Sequence, residues 1–145
     1  MSRDSLRALE VLALVGVGGF AGANLRYAVA SHSLATNLVL ATLGRDAVSL
    51  AARGLLGTLA VNAVGSLALG FLVYEAVGDS VLSEGSRTVL ATGFLSSFTT
   101  YSTFAVQTAG VSPPLMVANV AANYLLGFAG VVAGRALATR YGGGA

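Results

Sequence analysis

The sequence predicts an all-α integral membrane protein, with four transmembrane helices forming one domain over residues 1–145. Charged residues make up only 10% of the chain, whereas soluble domains usually contain ~25%. Apolar residues make up 55%. The long stretches without a charged residue include 11–25, 54–74 and 88–134. Because a bilayer-spanning helix needs about 20 mainly apolar residues, we expect the membrane to accommodate these stretches.

The same composition excludes several other classes of protein. A soluble domain of this size must cover a large surface with polar groups, and this chain lacks them. The apolar content argues against a disordered chain, and a net charge of +2 is too small to indicate a nucleic-acid partner. The chain has no cysteine and no catalytic constellation, so we expect neither an enzyme nor an organic cofactor. His32 is the only histidine and is expected in a solvated loop.

The first predicted span covers residues 7–30 and is rich in glycine. Gly18 and Gly22 form a GxxxG pair, which lets helix backbones approach closely in a membrane. Arg26 has two interpretations. It is either a snorkelling arginine at a helix end or an interior arginine that holds helices together or attracts anions.

A cleaved signal peptide is the alternative for this first segment. Two arginines precede the apolar run, and Ala21-Gly22-Ala23 resembles a small-residue cleavage site. Asp4 and Glu10 weaken this alternative because they reduce the positive charge ahead of the apolar run.

The second span (53–75) and the fourth span (114–136) carry polar stripes. The second has a polar or small residue at every fourth position, namely Thr58, Asn62, Ser66 and Gly70. The fourth repeats the pattern with Asn119, Asn123 and Gly127. In lipid such stripes face protein or water, either as interhelical hydrogen bonds or as donors for a weakly held anion. We also expect Gly65 and Ser66 to serve helix packing.

The third span (87–110) is unusually rich in hydroxyl groups. Residues 96–103 carry seven hydroxyls in eight positions. Serine and threonine compete for backbone hydrogen bonds, so the sequence predicts a helix broken in mid-membrane, where freed carbonyls can bind a cation. Tyr101 and Phe104 lie three residues apart and share a face of any following helix. The positive edges of their rings can attract an anion.

The remaining segments are connections. Residues 31–52 are the longest and are expected to include an interfacial helix, and residues 141–145 are expected to be a disordered tail. With four spans, one side of the membrane holds five arginines and the other three: Arg3, Arg7, Arg87, Arg135 and Arg140 against Arg26, Arg45 and Arg53. This weak bias favours cytoplasmic termini and is also what a dual-topology protein would have.

Three ordered motifs carry a resemblance to a known family. They are Gly19-x-x-Gly22-Ala23-x-x-Arg26-Tyr27, Gly57-Thr58-Leu59-x-Val61-Asn62-x-x-Gly65-Ser66, and Gly93-Phe94-x-x-x-Phe98-Thr99-Thr100-Tyr101-Ser102-Thr103-Phe104. Together they resemble the CrcB/Fluc fluoride channels, and the third motif is the most specific of them.

This resemblance implies an antiparallel, dual-topology dimer in the plasma membrane, which passively exports cytoplasmic fluoride through two pores. It implies that a structural sodium ion at the dimer centre is held by backbone carbonyls of Ser96 and Thr99. The implied fluoride pathway consists of Asn62, Tyr101, Ser102, Thr103, Phe104, Asn119 and Asn123.

The chain departs from the family pattern at several positions. Tyr101 stands where phenylalanine is usual, Ser96-Ser97 replaces glycines, and Gln107 stands where glutamate is frequent. Such differences are also expected in one subunit of a heterodimer with a paralogous chain, so the partner is either a second copy or a paralogue.

Two further functions are alternatives. A small proton-coupled drug exporter needs a carboxylate within the membrane; the candidate is Glu10, near the start of the first span, and the long uncharged stretches contain none. A membrane scaffold subunit would use the polar stripes only for packing.

Overall fold

A computed structural model describes residues 2–31, 37, 41–42, 50–76 and 82–141. None of these residues lies in a strand, and most lie in helices, which confirms the all-α prediction. His32, Arg45, Asp46 and residues 142–145 lie outside the described residues, as does most of the segment expected to hold an interfacial helix.

Three continuous helices match three of the predicted spans. Helix α1 covers Arg3–Ser31, α2 covers Leu50–Glu75, and the last long helix covers Pro113–Tyr141. Each contains a stretch long and apolar enough to cross a membrane: Arg3–Ala30, Ala52–Glu75 and Pro113–Arg140. The last begins at a proline, a favoured first residue because it has no N–H, and an N–H at that position would have no helical acceptor.

The third predicted span is divided rather than continuous. Its first half consists of α3 (Glu84–Arg87), a π-helical stretch over Thr88–Leu95, and α4 (Ser96–Phe98). Two extended residues follow, and α5 then covers Tyr101–Ala109. The last long helix is accordingly α6. Four helical rods are therefore present in the described ranges, and only three of them are unbroken.

The break lies inside the hydroxyl-rich stretch, at Thr99 and Thr100. Thr99 has φ −77° and ψ 159°, and Thr100 has φ −149° and ψ 120°. The Thr99 hydroxyl donates to the Leu95 carbonyl at 2.9 Å, and the Thr100 hydroxyl accepts the Thr103 N–H at 3.2 Å. Hydroxyls thus bond to nearby backbone, and Thr100 acts as the N-cap of α5.

Glycines let the rods approach one another closely. A Cβ at Gly130 of α6 would lie 2.9 Å from the Ala63 carbonyl oxygen of α2. A Cβ at Gly93 would lie 2.9 Å from the Val15 carbonyl oxygen of α1 and 3.0 Å from the Gly18 Cα. These positions exclude any larger side chain unless the backbones separate.

The buried core is small, and the outer faces are apolar. Val61 is completely buried and groups with Leu72, Leu95 and Phe98. In contrast, Phe20 of α1 is 75% exposed and Leu125 of α6 is 69% exposed. Such faces suit lipid or a second protein surface rather than water.

Candidate ion-conduction site

The polar stripes of α2 and α6 face each other. Asn62 Nδ2 donates to Asn123 Oδ1 at 3.2 Å. One turn further along α2, Ser66 lies opposite Gly127, where a Cβ would come 3.6 Å from the Ser66 Oγ. The two stripes therefore meet in one seam between the helices.

Asn62 also binds the broken third rod. Its Oδ1 accepts the backbone N–H of Thr100 at 2.9 Å, and its Nδ2 donates to the Thr100 carbonyl at 3.2 Å. One amide thus satisfies both backbone groups of a residue in extended conformation, where helical partners are lost. Asn62 connects α2, the break and α6.

A second amide holds the far end of α5. Asn119 is 7% exposed, and its Nδ2 donates to the Thr108 hydroxyl at 2.7 Å. That hydroxyl donates to the Phe104 carbonyl at 2.6 Å. Asn123 Nδ2 lies 3.1 Å from Asn119 Oδ1 and donates to the Asn119 carbonyl at 3.0 Å. The amides therefore form a continuous series of hydrogen bonds from Thr108 to Thr100.

An open groove of about 410 Å³ runs along this seam. It brings together four residues of the predicted fluoride pathway: Asn62, Tyr101, Phe104 and Asn123. The other lining residues are Gly65, Ser66, Leu69, Thr99, Thr100, Tyr124, Gly127, Phe128 and Val131. None of these lining residues is charged, so the groove offers amides, hydroxyls and rings to an occupant.

Two aromatic pairs face this groove. Tyr101 and Phe104 of α5 have ring centroids 5.8 Å apart at 48°, and Tyr124 and Phe128 of α6 have centroids 6.3 Å apart at 37°. Tyr101 is 74% exposed, whereas Phe104 is 8% exposed. Tilted rings present positive edges, to which an anion can be attracted.

Three residues of the predicted pathway are absent from the groove lining. Ser102 and Thr103 are exposed on α5, and the Thr103 hydroxyl accepts a hydrogen bond from the Thr100 hydroxyl at 3.0 Å. Asn119 is buried and does not line the groove, but it accepts a hydrogen bond from Asn123, which does.

The carbonyls of Ser96 and Thr99 are among those that the break deprives of their usual helical donors. In a continuous helix the Thr100 N–H would bind the Ser96 carbonyl, but it donates to Asn62 instead. Likewise the Thr103 N–H, which would bind the Thr99 carbonyl, donates to the Thr100 hydroxyl. The family resemblance of the sequence implies these same two carbonyls as sodium ligands. Oxygen donors of this kind suit a hard monovalent cation.

Of the remaining predicted residues, Gly65 and Ser66 line the groove, whereas the other three do not. Gly18 and Gly22 are buried in α1 against the π-helical stretch, while Gly65 faces Thr99 and Phe98. Arg26 is half-buried near the end of α1 and does not line the groove.

Sequence reasoning missed three features. The aromatic pair Tyr124 and Phe128 lines the groove. The available signal was that these two residues are four apart and that Tyr124 directly follows Asn123. The Glu75 side chain is 5% exposed, and its Oε2 lies 3.5 Å from the Arg87 Nη2. The opposite charges at the two ends of a short connection could have indicated this pair. The Thr58 hydroxyl donates to Gln107 Oε1 at 2.8 Å, a contact that no local pattern reveals.

Known proteins resemble this chain over most of its length. The family model described as CrcB-like protein, Camphor Resistance (CrcB), matches residues 13–135. A relative from Halobacterium salinarum named "Fluoride-specific ion channel FluC 2" is 58% identical over 127 residues, covering 87% of this chain and 84% of the relative. A relative from Haloarcula marismortui named "Fluoride-specific ion channel FluC 1" is 46% identical over 136 residues, covering 94% and 91%.

No solved structure matches the chain significantly. The family match includes most of each of the four helical rods and the whole groove lining. The chain therefore belongs to the CrcB family.

Proposed function

We propose that the chain is a fluoride-selective ion channel that lets fluoride leave the cytoplasm passively and so relieves its toxicity. The observation that carries this proposal is the uncharged groove, in which amides and aromatic ring edges meet at a broken helix. The names of the relatives from Halobacterium salinarum and Haloarcula marismortui support the same ion.

The donor chemistry suits a small, strongly hydrated anion. Fluoride loses its hydration only if a pore supplies strong donors in exchange, and it leaves only if binding is weak enough. Uncharged amides and ring edges fulfil both requirements, since a fixed arginine in the groove would hold the ion more tightly.

The Asn62 amide can exchange partners as the ion passes. Its N–H groups donate to the Thr100 carbonyl and to Asn123 Oδ1. A hydrogen bond to an ion is roughly twice as strong as a neutral one, so an arriving fluoride can replace Asn123 as acceptor. The Asn62–Thr100 N–H contact keeps the side chain in place during this exchange.

We further propose a structural sodium ion at the centre of a dimer. The carbonyls of Ser96 and Thr99 fit such an ion because the break withdraws both of their helical donors. Sodium bound there would neutralise the carbonyl dipoles of facing breaks and stabilise the extended backbone.

The groove also supports assembly with a second subunit. It is open along one side, where Tyr101 is 74% exposed and Phe128 is 68% exposed. A second surface is needed to enclose an ion, and the weak five-to-three bias of the arginines is what an antiparallel, dual-topology partner would have. The partner is a second copy of this chain or, as the alternative, a paralogous subunit.

Fluoride efflux from liposomes tests the proposed function. Purified protein should release fluoride rapidly and chloride barely, as followed with ion-selective electrodes. Efflux that requires a co-reconstituted paralogue would assign the chain to a heterodimer. Absence of fluoride efflux under both conditions would refute the channel.

A further inference from the structure

Helix α5 carries the Tyr101 and Phe104 rings of the groove, yet it is held mainly by polar contacts. Of its nine residues only Phe104 and Thr108 are buried. Val106, in contrast, is 74% exposed. Apolar burial alone therefore defines its position poorly, and the hydrogen bonds at its two ends must contribute.

Two successive turns of α2 bind the two ends of α5. Asn62 binds Thr100 at the start of α5, as described above. Thr58, one turn earlier, is 3% exposed and donates its hydroxyl to Gln107 Oε1 at 2.8 Å. Gln107 lies near the end of α5, so the contacts are separated by about two turns of that helix.

The Gln107 side chain lies against a glycine of α2. A Cβ at Gly54 would come within 3.0 Å of Gln107 Nε2. Because Gly54 has no side chain, the Gln107 amide can approach α2 closely enough to reach Thr58. Neither Thr58 nor Gln107 lines the groove.

We propose that Thr58 and Gln107 are positioning residues that set the orientation of α5 and thereby of the Tyr101 and Phe104 rings. This inference rests on the proposed fluoride channel. Gln107 follows Phe104 by three residues, less than one turn, so a shift at Gln107 moves the Phe104 ring. Without the Thr58 hydroxyl, the Gln107 amide oxygen loses its donor and must turn toward another one.

The test is a double-mutant cycle in liposomes. T58V and Q107L remove the two partners with little change in side-chain volume. Each should slow fluoride efflux by roughly tenfold, and the double variant should be no slower than the slower single variant, because contacting residues are not additive. The fluoride-to-chloride ratio should fall in all three, while T58S, which keeps the hydroxyl, should retain the wild-type ratio.

A matched control separates positioning from general damage. T139V removes a hydroxyl that donates only to the Ala136 carbonyl of its own helix, and it should leave efflux and selectivity unchanged. The melting temperature in detergent is measured for every variant. Wild-type selectivity in T58V and Q107L would overturn the inference, as would single effects that multiply in the double variant. A wild-type protein without fluoride efflux, both alone and with a co-reconstituted paralogue, would instead refute the proposed function.

Discussion

At the residue scale, Asn62 is the side chain that connects the helix break to α6. Its single amide reaches Thr100 through both atoms and Asn123 through one. Asparagine suits this position because it both donates and accepts. An aspartate has the same shape but, when ionised, only accepts hydrogen bonds.

Asn62→Asp should therefore slow fluoride efflux by about tenfold or more, since loss of a donor to a charged ion typically costs ~1.5–3 kcal/mol. Liposome efflux measures this. Asn24→Asp is the matched control, because Asn24 is exposed and donates to the Phe20 carbonyl of its own helix at 2.7 Å. Unchanged efflux in Asn62→Asp would remove Asn62 from the pathway.

Tyr101 is expected to act through its ring edge rather than its hydroxyl. Tyr101→Phe should retain fluoride efflux, whereas Tyr101→Ala should slow it by up to about tenfold, given ~0.5–1.5 kcal/mol for an aromatic pair. Phe20→Ala, at a 75% exposed position of α1, is the control. If Tyr101→Phe were as slow as Tyr101→Ala, the hydroxyl would be the functional group.

At the scale of the elements, close backbone contacts fix the third rod against α1. Gly93 meets Val15 and Gly18 at a distance where a Cβ cannot be accommodated. In contrast, a Cβ at Gly16 would have no neighbour within 4 Å. Packing therefore requires a glycine at position 93 but not at position 16.

Gly93→Ala should destabilise the protein by about 1–3 kcal/mol, the usual cost of overpacking. Gly16→Ala should be neutral or stabilising by up to ~1 kcal/mol, because alanine restricts the unfolded chain. Thermal unfolding in detergent distinguishes them. Equal melting temperatures for the two variants would contradict the close α1 contact.

The sequence predicted the elements better than their contacts. Apolar gaps between charges located the helices because the bilayer requires length and low polarity, and the hydroxyl run located the break because its cause is local. The stripes of α2 and α6 were recognised by their four-residue period. The contact of Thr58 with Gln107 could not be predicted, because it depends on how α5 lies after the break. The exposure of Ser102 and Thr103 has the same cause.

At the scale of the whole molecule, the groove that the described residues form is open along one side. The outer faces of α5 and α6 expose large aromatic side chains beside the lining. We expect the purified protein to be a dimer in mild detergent, as measured by light scattering corrected for bound detergent. A monomer that conducts fluoride would contradict the need for a second surface.

The passive nature of transport is the central claim, and electrical recording in a planar bilayer tests it most directly. Under a fluoride gradient with equal chloride and pH on both sides, the current should reverse at the fluoride equilibrium potential. Reversal should stay there when a pH gradient is added. A reversal potential that follows protons or chloride, or transport without current, would contradict a fluoride channel.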